Sequence, residues 1–114
     1  MNAEKQLPPE IRDLRTERLN EYRALGYSYL ADAIRAADGS GAALELLDVT
    51  SQDGGEFQID VQALWDDKPN QDIRVIAEAL PIPLRPLFGF IPIYIGGPSD
   101  AFIMRPDGTF VDEG

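Results

Sequence analysis

The chain has 114 residues, 44% hydrophobic and 26% charged, with a net charge of −10. That length predicts one domain over 1–114, with 1–8 as a flexible lead-in, large enough for a core without covalent staples. Neither cysteine nor histidine is present, which excludes disulfides, thiolate nucleophiles, Ser–His pairs and the commonest zinc ligand.

Residues 9–37 read as a helix. Pro8-Pro9 leads in, and Glu10 and Asp13 suit the positive N-terminal end. Ile11, Leu14, Leu19, Tyr22, Leu25, Tyr29, Leu30 and Ala33 form one stripe at helical period. Gly26 lies on that stripe, where it permits close approach to a sheet, or kinks the helix or breaks it in two. Arg15 and Arg18 project toward the apolar side, with stems along the core edge and heads in water. Asp38-Gly39-Ser40-Gly41 ends the element, with Gly39 suited to a left-handed cap.

The period then changes to two. Leu44–Thr50 is a predicted strand, and Gln52-Asp53-Gly54-Gly55 a turn. In EFQIDVQALW, Phe57, Ile59, Val61, Ala63 and Trp65 face one way, and Glu56, Gln58, Asp60 and Gln62 the other. Such alternation means a sheet with one buried and one wet face, hence antiparallel. Ile73, Val75, Ala77 and Ala79 continue it in a third strand. Pro81, Pro83 and Pro86 make the next segment a loop or crossover.

Phe88–Ile95 is a predicted fourth strand in which both alternating sets are apolar, so it wants cover on both faces. That cover comes from the chain itself or from another molecule. Finally, DAFIM and TFVD flank Arg105-Pro106-Asp107-Gly108, a turn signal that predicts a terminal hairpin. A long N-terminal helix on an antiparallel sheet of four to six strands is an α+β fold of two layers. By element order it is similar to the cystatin and nuclear-transport-factor-like arrangements, whose folds host unrelated functions.

Charge is lopsided. Residues 1–37 balance six bases against six acids, whereas 38–114 hold four bases against fourteen acids. That field repels nucleic acid and anionic membrane and attracts basic proteins. The N-terminus lacks the apolar run of a signal peptide, and no segment approaches the ~20 apolar residues of a membrane span. The expectation is a cytoplasmic protein.

No catalytic motif, cofactor motif or metal site emerges. Gly96-Gly97-Pro98-Ser99-Asp100 lacks the lysine and spacing of a phosphate loop. Asp66, Asp67, Asn70 and Asp72 are oxygen-rich but do not match a regular calcium loop. The leading expectation is a small acidic protein-binding module, an immunity-type neutraliser of a basic toxin being one version. Its contacts would be Glu56, Asp60, Asp66, Asp67 and Asp72, with Phe88, Phe90 and Ile93 as apolar anchors. A second reading is a small-molecule-binding or isomerase-like domain using Tyr22, Tyr29, Tyr94 and Asp100. A third is a structural homodimer.

Overall fold

A computed structural model describes residues 7–37, 41–81 and 99–111. The stripe at 9–37 becomes two helices, α1 over Pro9–Leu25 and α2 over Tyr27–Ala36. Gly26 divides them at φ 90° and ψ 167°, a backbone region essentially reserved for glycine. Its carbonyl still accepts the Leu30 N–H at 3.4 Å, so the second helix starts at once. Pro9 opens α1 where no donor is needed, and Glu10 accepts the Gln52 N–H at 2.9 Å. That bond ties the helix start to the first hairpin.

Four strands follow among the described residues: β1 (Gly41–Thr50), β2 (Glu56–Trp65), β3 (Ile73–Pro81) and β4 (Ser99–Met104). They pair antiparallel in chain order, so the fold is α+β with both helices on one face of a meander. The alternation in β2 sets its inner face: Ile59, Val61 and Ala63 are wholly buried, and Phe57 nearly so. Cross-strand partners alternate in size, with Ile59 opposite Ala79, Val61 opposite Ala77 and Ala63 opposite Val75. The two alanines of β3 leave room for α1, which crosses over β3. The helices contribute Ile11, Leu19, Leu30, Ala31 and Ile34 to the same core, and β4 adds Phe102 and Met104. Each fully buried Val, Leu or Ile of this set is worth about 1.5–3 kcal/mol.

The predicted first strand begins earlier than expected, at Gly41, because a bulge between Ala43 and Glu45 lets pairing with β2 continue. Gly54 takes φ 91° in the β1–β2 turn. There the Ser51 hydroxyl donates to the Asp53 carboxylate, which also accepts the Gly55 N–H at 3.0 Å. Those bonds, the hydroxyl's first, hold the Asp53 carboxyl below its ordinary range. The terminal hairpin forms around Gly108 at φ 89°, with Phe110 bridging to Met104. Arg23 lies 5.1 Å over the Phe102 ring and 5.5 Å over Phe110, fastening this hairpin to α1. The predicted strand Phe88–Ile95 and the Gly39 cap lie outside the described residues.

Candidate functional site

The outer face of the sheet carries the side chains that β2 and β3 turn away from the helices. Asp60 of β2 stands directly opposite Glu78 of β3, and the neighbouring pairs are Gln58 with Leu80, Gln62 with Ile76 and Leu64 with Arg74. Asp60, Glu78, Leu64, Ile76 and Leu80 are all half-buried. Two carboxylates set opposite each other destabilise a sheet. Asp60 accepts a bond from Gln62 Nε2 at 3.0 Å. On the β1 side, Leu46 is the cross-strand partner of Asp60 and remains 66% exposed. The surface is therefore acidic at its middle and aliphatic around it.

The five acids expected to act together are spread along β2 rather than gathered. Glu56 opens the strand, Asp60 is at its centre, and Asp66, Asp67 and Asp72 sit past its far end. Ten residues of strand span about 33 Å. Asp66 is neutralised by Arg74, whose Nε and Nη2 lie 2.9 and 2.7 Å from its carboxylate. Asp67 and Asp72 line a shallow depression with Lys68 and Gln71. Arg35 reaches the same turn, bonding Asn70 Oδ1 at 2.8 and 3.0 Å while lying 5.8 Å over Trp65. Asn70 holds φ 67° there. Phe88, Phe90 and Ile93 lie outside the described residues.

The residues of the small-molecule reading separate as well. Tyr22 and Tyr29 border an open cavity of about 360 Å³ with Arg18, Glu21, Ala24 and Leu25, on the flank of the sheet where β1 lies. Tyr22 is buried and donates to Glu45 Oε1 of β1 at 3.1 Å, while Arg18 meets the same oxygen through Nη2 at 3.0 Å. Burial first, and the Glu45 bond next, raise the Tyr22 phenol above its ordinary value, so at neutral pH it is a donor. Asp100 lies exposed on β4, at the opposite edge, and its carboxylate accepts the Ala101 N–H at 2.9 Å. Three strand spacings, about 14 Å, separate the two edges. Tyr94 lies outside the described residues. Among the described residues, no three acids are placed to hold a metal ion.

Sequence reasoning missed Glu78 and Glu45. The wet-face parity of β3 marks Glu78, but its placement opposite Asp60 needs the hairpin register. Glu45 shares the inner face with Leu47 and Val49, in the regular register that pairs it with Val61. No family model, curated protein or solved structure matches the chain. No helix among the described residues is long and apolar enough to cross a membrane.

Proposed function

We propose that this chain is a protein-binding module whose outer sheet face receives a basic partner, an immunity-type neutraliser being one version. The observation that carries the reading is the Asp60–Glu78 pair. Like charges set opposite each other cost stability, and neither a core nor solubility requires them there. A lysine or arginine entering between them would turn the repulsion into two attractions. The half-buried Leu64, Ile76 and Leu80 supply apolar contact around that cation. Glu56 and Asp67 extend the field toward the two ends of β2 and steer approach.

The test is capture from the native lysate on two baits, the wild type and the double variant Asp60→Asn/Glu78→Gln, at low and high salt, with mass spectrometry. A stoichiometric basic protein held by the wild type, released by salt and not held by the neutral bait, is the expected result. Equal recovery on both baits, or no partner on either, sinks the proposal.

A further inference from the structure

The two edges of the sheet are finished differently. The β4 edge is closed at its end by the terminal hairpin: Phe110 bridges to Met104, and the Val111 N–H donates to the Ile103 carbonyl at 2.9 Å. Nothing among the described residues pairs with the outer edge of β1. Natural edges are blocked by lysine, proline or a bulge. GAALELLDVT contains no lysine, arginine or proline. Its bulge lies at Ala43–Glu45 and leaves Glu45–Thr50 regular.

The direction of the free groups follows from the first hairpin. The Ser51 N–H donates to the Gly55 carbonyl at 2.8 Å, so Val49, Leu47 and Glu45 direct their peptide groups at β2. Leu46, Asp48 and Thr50 consequently turn theirs outward. Of the two acids in β1, Glu45 is held inward by Tyr22 and Arg18. Asp48, which accepts a bond from Gln58 Nε2 at 3.2 Å, is the outer-face acid of β1. Leu25 and Tyr29, about half exposed, lie on the helix side of this same flank.

We infer that β1 pairs antiparallel with β1 of a second copy, about a twofold axis through Leu47, joining two four-stranded sheets into one. This register is selected by charge and length. An axis at Asp48 sets two carboxylates opposite each other, and an axis at Leu46 runs into the bulge. With the axis at Leu47, Leu46 meets Asp48 of the other copy, Glu45 meets Val49, and the two Leu47 side chains meet on the inner face. Hydrogen bonds run from the outward groups of Leu46 and Asp48. Each copy carries −10, so screening strengthens this association. Salt weakens the basic-partner contact proposed above, which separates the two.

The experiment is sedimentation equilibrium of the full chain, from micromolar to near-millimolar, at low and high salt. Wild type, Leu46→Lys and Leu46→Asp are compared, with circular dichroism confirming the fold at this exposed position. The expected result is a concentration-dependent dimer tighter at high salt. At high salt, Leu46→Asp weakens it about tenfold, because each introduced carboxylate faces Asp48 of the other copy, and Leu46→Lys, which sets a cation opposite Asp48, weakens it far less. A generic apolar contact would be weakened by both changes alike. Equal effects of the two substitutions, or a monomer at every concentration and salt, overturn the inference. So do slowly exchanging Leu46, Asp48 and Thr50 amides in dilute monomer, which would mean that the chain closes this edge itself.

Discussion

The two faces of one sheet obey different rules. On the inner face every β2–β3 pair from Phe57 to Trp65 joins apolar residues, and alanines sit opposite larger partners beneath α1. On the outer face the same strands set Asp60 against Glu78 and leave aliphatic side chains half-buried among amides and acids. The inner face is arranged for folding. The outer face gives up stability at its centre, where like charges stand opposite each other.

The largest effect separating the faces comes from truncating one isoleucine on each. Ile59→Ala, at a fully buried position, should lose about 2–5 kcal/mol in urea unfolding. Ile76→Ala, on the outer face, should lose no more than about 1.5 kcal/mol. Similar losses would mean that the outer face is as dry as the inner one. Next comes the break between the helices that cover the inner face. Gly26→Ala puts a Cβ on a glycine-only backbone with open space around it, so strain alone should cost about 1–3 kcal/mol.

The polar rim of the inner face gives a smaller, pH-dependent effect. The Tyr22 phenol is raised in the folded state, by burial first and then by Glu45. Folding therefore favours its protonated form. That contribution is whole below about pH 10 and is lost as pH rises through the raised folded value. Tyr22→Phe should cost about 1 kcal/mol at neutral pH and should flatten the alkaline fall in stability. An unchanged alkaline limb would place that titration elsewhere. The smallest effect has the opposite sign. Asp60→Asn/Glu78→Gln should raise stability by about 0.5 kcal/mol while abolishing partner capture. A loss of stability instead would mean that the pair is already compensated within the fold.

Much of this molecule was legible from pattern. EFQIDVQALW announced β2 to the residue, and Pro-Asp-Gly announced the terminal turn. Gly26 stood out as either a close approach or a break, and it is a break. The grouping of acids was not legible. Glu56, Asp60 and Asp66 are near in sequence, yet an extended strand is the arrangement that separates sequence neighbours most, at 3.2–3.4 Å per residue. Tyr22, Tyr29 and Asp100 shared only chemistry, and the meander placed Asp100 on the far edge.

By itself, the sequence determined the α+β class, the buried set of β2 and β3 and the excess of acid in the second part of the chain. Those follow from local periodicity and composition, which need no knowledge of neighbours. Only the tertiary structure decided that Glu78 faces Asp60, that Glu45 meets Tyr22 and Arg18, and that β1 and β4 stand at the two ends of the strand order among the described residues. Register, bulge position and strand order set these, and each depends on which backbone groups pair across the sheet. A single bulged residue exchanges the faces of everything beyond it.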